Sequence, residues 1–224
     1  MDEIRIIDIR KKILSDNENQ ADVIRQELAD KKVFMLNVMA SPGAGKTSLI
    51  IQTIRRLKEQ LRIAVIEGDI ESTVDSEKIV AEAVPAVQIR TGGACHLDAP
   101  MVTAALDDLD LENLDFVFIE NIGNLICPAE FDTGADLQAM MLSVPEGDDK
   151  ILKYPLMFSV CDALVVNKID YLDGSDFNLE LLRRRARELN PGMRIFEVSC
   201  KSGSGLDEWC QWLLERTMAK RFVI

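Results

Sequence analysis

The stretch SPGAGKTSLI, residues 41–50, sets two glycines ahead of Lys46, Thr47 and Ser48. A loop that leaves a buried strand and opens a helix presents unpaired backbone N–H groups at the positive end of the helix dipole, which makes it an anion site. Gly43, Ala44 and Gly45 let the backbone curl around phosphate. Lys46 can reach the β and γ oxygens, and the Thr47 hydroxyl can ligate Mg²⁺. The usual phosphate-loop pattern begins with a glycine where this chain has Ala40, a departure that leaves the Gly-x-Gly-Lys-Thr half intact.

Magnesium calls for further oxygen ligands, direct or through water. Asp69 follows an apolar run, Asp75 lies in the segment after it, and Glu120 ends the run DFVFIE. Each can also serve as a helix cap or a solvated acid. Glu120 is the strongest candidate, because Gly123 follows in ENIG as in the γ-phosphate-sensing turn of nucleotide switches.

The base is addressed by VVNKID, with Asn167, Lys168 and Asp170. A carboxylate accepts two hydrogen bonds from guanine N1–H and its exocyclic amine, whereas adenine would leave it unpaired. Ser199, Cys200 and Lys201 follow a further apolar run and fit a second base-contacting loop. In chain order with the phosphate loop, these residues predict GTP and GDP with Mg²⁺. Many switch GTPases orient the attacking water with a glutamine after the switch glycine. Asn124 stands there, so slow unaided hydrolysis is expected.

A second chemistry is suggested by TGGACHLDAP and ENIGNLICPAEFD. They hold Cys95, the single histidine His96, and Cys127. Thiolate and imidazole ligate zinc, nickel or copper, although from sequence alone a buried thiol and an ordinary histidine are the more frequent outcome. Cys161, read within an apolar strand, Cys200 and Cys210 have no partner at ligand spacing. Trp209 and Trp212 read as packing residues on the last helix.

These residues need a scaffold that puts loops at the ends of buried strands. Apolar runs at 33–40, 62–68, 86–90, 115–120, 139–144, 162–167 and 194–199 alternate with helical patterns near 46, 74–83, 98–109, 176–189 and 205–219. Alternation of that kind predicts an α/β fold, a P-loop NTPase with a mostly parallel sheet and helices on both faces. Ligands of such sheets bind beyond the carboxyl ends of the strands. Residues 6–29 carry Ile6, Ile9, Ile13, Ala21, Ile24 and Leu28 at helical spacing, so a helical arm over 1–30 is expected before a GTPase domain over 31–224.

Composition limits the alternatives. Hydrophobic residues make up 47% and charged residues 29% of the 224, a globular balance. A net charge of −12 argues against nucleic acid and anionic lipid surfaces. The opening MDEIRIIDIRKK lacks the apolar core of a signal peptide and no apolar run is long enough to span a bilayer, so a cytoplasmic protein is expected. Five cysteines then read as thiols or metal ligands rather than disulfides.

From about residue 30 onward, SPGAGKT, EGDIESTVD, TGGACHLDAPMV, FIENIGNLICPAEFD and VVNKID together resemble the HypB family of hydrogenase nickel-incorporation GTPases. The resemblance implies a SIMIBI-type GTPase that dimerises when GTP-bound and holds Ni²⁺ or Zn²⁺ at the subunit interface through Cys95, His96 and Cys127. It also implies that nickel passes to the immature large subunit of a nickel-iron hydrogenase, with a small zinc-containing HypA-type accessory protein as partner. No residue before Ala40 is Cys or His, so the internal site is expected to do any metal work. Two other readings stand beside this one: a nucleotide-switched scaffold with structural Cys and His, and maturation of another nickel enzyme such as urease.

Overall fold

The computed structural model describes residues 9–70 and 74–222, with side chains from residues 12–70 and 76–222. Seven strands are present among these residues: Phe34–Ala40 (β1), Ile63–Asp69 (β2), Ala86–Arg90 (β3), Phe116–Glu120 (β4), Leu137–Ser143 (β5), Ala163–Asn167 (β6) and Arg194–Glu197 (β7). They form one sheet in the order β3-β2-β4-β1-β5-β6-β7, and every adjacent pair is parallel. The sheet expected to be mostly parallel is thus wholly so. The expected runs fall on all seven; the inner strands, buried on both faces, read as nearly continuous apolar runs, whereas the edge strands β3 and β7 are only partly buried.

Among the described residues eight α-helices accompany the sheet: Ile9–Lys31 (α1), Lys46–Leu57 (α2), Val74–Val80 (α3), Ala99–Leu106 (α4), Lys150–Lys153 (α5), Pro155–Val160 (α6), Leu179–Leu189 (α7) and Leu206–Phe222 (α8). Side chains alternate across β1, so Leu36 and Val38 join α2 and α8 on one face while Met35 joins α1 and α4 on the other. Met39, one step further along, packs with Met157 and Phe158 of α6. Trp209 and Trp212 are packing residues: both are buried against Phe196, and Trp209 Nε1 donates to Thr53 Oγ1 of α2 at 3.0 Å.

One feature completes the sequence reading and two depart from it. The arm is one continuous helix from residue 9; Ile6 lies outside the described residues. Its buried Ala21, Ile24 and Leu28 pack on Met35, Val102 and Leu106, so α1 lies on its own sheet. Gly134, at φ +76°, lets the chain pass so close that a Cβ there would come 2.7 Å from Ile24 Cβ. Asn17 completes the attachment, with Nδ2 donating to Asp132 O at 2.9 Å and Oδ1 accepting from Ala99 N at 2.8 Å. Second, α5 and α6 are short helices that the sequence reading does not contain. Third, Cys161 is not in a strand. It follows α6 as its cap, buried, because the apolar run LMFSVCDALVV spans a helix end and a strand start. Asp162 divides the two by accepting from Gln138 N at 2.8 Å.

Candidate functional site

The loop from β1 into α2 has the conformation its glycines allow. Gly43 sits at φ +77° and Gly45 at φ +108°, and Gly45 is the N-cap of α2. A Cβ on Gly45 would come 2.5 Å from Asn167 Nδ2, so the loop and the end of β6 are in contact. Asn167 is the link: Nδ2 donates to Ala44 O at 2.9 Å and Oδ1 accepts from Cys200 N at 3.2 Å. It thereby joins three loops at the carboxyl end of the sheet.

Lys168 adopts φ +61° and its Nζ donates to Gly43 O at 2.8 Å. Ser199 Oγ donates to Asp170 Oδ1 at 2.6 Å, which orients that carboxylate, and Lys201 Nζ lies 4.0 Å from its other oxygen. Gly45, Ser48, Asn167, Lys168, Asp170, Cys200 and Lys201 line one cavity of about 510 Å³. Of the residues singled out for the base, all but Ser199 line one space next to the phosphate loop, and buried Ser199 acts on it through Asp170.

A second cavity, of about 500 Å³, continues along the loop and is lined by Lys46, Thr47, Asp69, Glu120 and Gly123. Thr47 Oγ1 donates to Glu120 Oε1 at 2.7 Å. Asp69, at the end of β2, reaches the same space. The side chain of Asp75 lies outside the described residues. The structure adds Glu67, which the sequence reading passed over because it falls inside an apolar run. Glu67 and Glu120 are register partners on β2 and β4, so their side chains share a face; both are buried, and both line this cavity. Ser76 Oγ donates to Glu67. Gly123 presses on the loop: a Cβ there would come 3.0 Å from Pro42 N.

Beyond this cavity the segments 91–98 and 121–132 meet. Cys95 Sγ lies 2.7 Å from Cys127 Sγ and 3.9 Å from His96 Nδ1, and one ligand atom from each residue fits within a 4.8 Å cluster. The His96 ring stacks on Phe131, centroids 3.8 Å apart at 25°. The hydrogen bond with Cys127, then burial, pushes the Cys95 thiol above its ordinary value. Burial holds the His96 imidazole below its ordinary value, against the opposing pull of Asp98 and Glu130. A neutral imidazole beside two thiols is a ligand set for borderline-soft divalent ions, and three ligands leave a coordination position open.

Two asparagines frame this cluster, and neither role was visible in sequence. Asn121 is fully buried; its Oδ1 accepts from Leu97 N at 3.1 Å and from Ile122 N at 2.9 Å. Asn124, placed by sequence where other GTPases carry a water-orienting glutamine, instead turns to the thiol loop. Its Nδ2 donates to Cys95 O at 3.1 Å, and its Oδ1 accepts from Ile126 N at 3.0 Å. The spacing Asn-x-x-Asn between an acidic strand end and a cysteine was the available signal.

A phosphate loop on a parallel sheet, with two cavities along it and a cluster of two thiols and an imidazole able to hold a metal ion beside the turn after β4, defines a nucleotide-binding protein. A family model described as the CobW/HypB/UreG nucleotide-binding domain matches residues 34–197. The chain belongs to this family and, within it, to the HypB group. It is 42% identical over 213 residues to the hydrogenase maturation factor HypB of Escherichia coli K12, covering 95% of this chain and 73% of that protein. It is 38% identical over 214 residues to the hydrogenase/urease maturation factor HypB of Helicobacter pylori J99, covering 94% and 88%. The crystal structure of HypB from Helicobacter pylori in complex with nickel superposes with a TM-score of 0.87 at 36% identity, covering 92% of this chain and 97% of that one. The SIMIBI-type architecture expected from sequence is the one the chain has. No described helix is long and apolar enough to cross a membrane.

Proposed function

We propose that this chain is a GTP-hydrolysing metallochaperone that binds Ni²⁺ or Zn²⁺ through Cys95, His96 and Cys127 and assists nickel insertion into a hydrogenase large subunit. The observation that carries this reading is the segment 120–127, which contributes Glu120 and Gly123 to the nucleotide cavity and Cys127 to the thiol-imidazole cluster. Only seven positions thus take the chain from Glu120 in the nucleotide cavity to Cys127 in the thiol-imidazole cluster.

Asp170, held by Ser199, selects guanine through N1–H and the exocyclic amine, with Lys168 lying along the base and Asn167 holding the loops. Cys200 and Lys201 complete the base loop. The backbone N–H groups of Gly43 to Ser48 and the Lys46 ammonium bind the phosphates. The oxygen-only set of Thr47, Asp69, Glu120 and Glu67 suits Mg²⁺, and Asp75 belongs to the same proposal. Bound there, the ion neutralises developing phosphate charge. Gly123 offers its N–H to the γ-phosphate. With Asn124 committed to Cys95, the water-orienting glutamine has no counterpart at its usual place, consistent with slow intrinsic turnover.

Loss of the γ-phosphate releases Gly123, and the turn carries Cys127 with it; nucleotide state and metal affinity are linked through one segment. A tenfold change in metal affinity requires only about 1.4 kcal/mol of difference between the states. GTP-dependent homodimerisation supplies further ligands to the open coordination position, and a HypA-type protein and the immature large subunit are the partners, in the cytoplasm. The Helicobacter relative's name favours a second reading, in which urease is also a recipient.

The deciding experiment is equilibrium binding of Ni²⁺ and Zn²⁺ to the reduced protein loaded with GDP or with a non-hydrolysable GTP analogue and Mg²⁺. The expected result is an affinity or stoichiometry that depends on nucleotide and is lost in Cys95→Ala. Equal binding in both states would remove the coupling, and no binding would leave a nucleotide-switched scaffold.

A further inference from the structure

Cys95 and His96 sit on a different segment from Cys127, and covalent connection alone moves only Cys127 with the turn after β4. The other two ligands follow that turn only if something fastens 95–97 to it. The two asparagines do this. Asn124 grips the carbonyl of Cys95 from one side, and Asn121 accepts the N–H of Leu97 from the other, so the Cys95-His96 pair is clamped at both ends. Each carboxamide also accepts a backbone N–H of its own turn, Ile122 for Asn121 and Ile126 for Asn124, which fixes both amides relative to that turn.

The clamp is anchored deep in the sheet. Asn121 N donates to Val38 O of β1 at 3.0 Å, two residues before the phosphate loop. Its Nδ2 donates to Asn37 Oδ1 at 3.2 Å, and Asn37 Nδ2 donates to Gln138 Oε1 at 2.7 Å. A buried amide chain of this kind has few alternative pairings, because each polar atom left unmatched is costly. Gly68 adds steric closeness: a Cβ there would come 2.8 Å from Leu97 side-chain atoms, so the residue after His96 is also wedged against the strand that ends at Asp69.

The geometry points to Asn121 and Asn124 as positioning residues that carry the nucleotide-dependent displacement of the 121–124 turn to Cys95 and His96, so that all three ligands respond together. This rests on the coupling described under the proposed function. Asn124 is the half-exposed member and is the one to vary first; Asn121, buried, is the second.

The test is the ratio of Ni²⁺ dissociation constants between GDP-loaded and GTP-analogue-loaded protein, repeated with Zn²⁺, for the wild-type chain, Asn124→Ala and Asn124→Asp. The aspartate keeps the acceptor for Ile126 N, and so the shape of the turn, but has no N–H for Cys95 O. The expected result is that both variants lower the ratio by about five-fold, the factor one hydrogen bond of ordinary net strength carries, or bring it to one where the wild-type ratio is smaller. A ratio restored by Asn124→Asp would mean that only turn shape matters, and a ratio unchanged in both variants, with affinity lowered equally in the two states, would mean a merely structural bond. Either outcome overturns the inference while leaving the coupling intact. A wild-type ratio of one overturns the coupling itself. Asn121→Ser is measured in parallel, with its thermal unfolding, and a folded Asn121→Ser that keeps the full ratio also counts against the clamp.

Discussion

Gly123 lies directly against Pro42: a Cβ on the glycine would meet Pro42 Cγ at 2.9 Å and Pro42 N at 3.0 Å. The turn after β4 therefore touches the phosphate loop backbone with nothing between them. Gly123→Ala forces the two apart by a few tenths of an ångström. If the Gly123 N–H meets the γ-phosphate, affinity for a GTP analogue and single-turnover phosphate release fall roughly tenfold, while GDP affinity changes little. Fluorescent nucleotide titration checks both, and an equal loss for GDP would locate the damage in the loop as a whole.

Asp170 is held by Ser199 at 2.6 Å in the base cavity. Asp170→Asn replaces two acceptor oxygens with one oxygen and an N–H₂ donor, which faces the guanine amine donor to donor. GTP affinity falls by about a hundredfold, and xanthosine triphosphate, with a carbonyl at that position, gains. Competition between the two nucleotides is the measurement; a variant that still prefers GTP would show that another group reads the base.

Metal affinity is expected to rise with pH. The Cys95 thiol is held above its ordinary value, so an ion that binds its thiolate must displace a proton, and apparent affinity gains about tenfold per pH unit for each proton displaced. His96 is held below its ordinary value by burial, so it adds no proton release above about pH 6.5. The same depression means that the unfolded chain takes up this proton first. His96 thus contributes stability above about pH 6.5 that is lost as pH falls toward its folded value. Nickel competition titrations between about pH 6.5 and 8.5 should give a slope of about one or more, and a flat profile would exclude thiolate ligation.

The thiols should also sort by burial. Cys161 is buried and pushed far up by desolvation, and Cys200 and Cys210 are each pushed up to about 11, again by burial first. Cys95 is exposed and Cys127 half-buried; Cys200 is half-buried too, but desolvation pushes its thiol up. Mass-resolved labelling of the native protein near neutral pH should modify Cys95 and Cys127 first, and Zn²⁺ should protect both, with Cys161 reacting only on unfolding.

Trp209→Ala removes a fully buried ring packed on Phe196 and Trp212 and leaves Thr53 Oγ1 without its donor. A loss of about 3–5 kcal/mol is expected. Trp209→Phe keeps most of the packing and should cost nearer 1–2 kcal/mol, from the lost hydrogen bond. Urea unfolding of the two variants separates packing from hydrogen bonding.

How much of this was legible in the sequence depended on whether a residue acts alone or through a neighbour. The inner strands could be read because double burial leaves few polar residues in them, and the partly buried edge strands β3 and β7 because short apolar runs stand between helical patterns. The phosphate loop and the base loops could be read because glycine, lysine and aspartate act from their own positions. Glu67 could not, since its relevance comes from its register with Glu120 across two strands. Asn121 and Asn124 were hidden for the same reason: they act on Leu97 and Cys95, more than twenty residues away. The short α5 and α6 offered too few turns for a helical period to emerge, and an apolar run crossing from α6 to β6 put Cys161 in the wrong element.

The attachment of α1 has a consequence for local stability. Asn17 ties the helix to Asp132 on the Cys127 segment and to Ala99 at the start of α4, just after the Cys95-His96 pair. Both halves of the thiol-imidazole cluster are therefore bonded from behind to the same helical turn. An opening that peels α1 away must break both bonds at once, so the helix and the two loops form one cooperative unit. Amide exchange in α1 and at 95–98 should then rise and fall together, and an ion bound at the cluster would slow exchange in a helix it never touches.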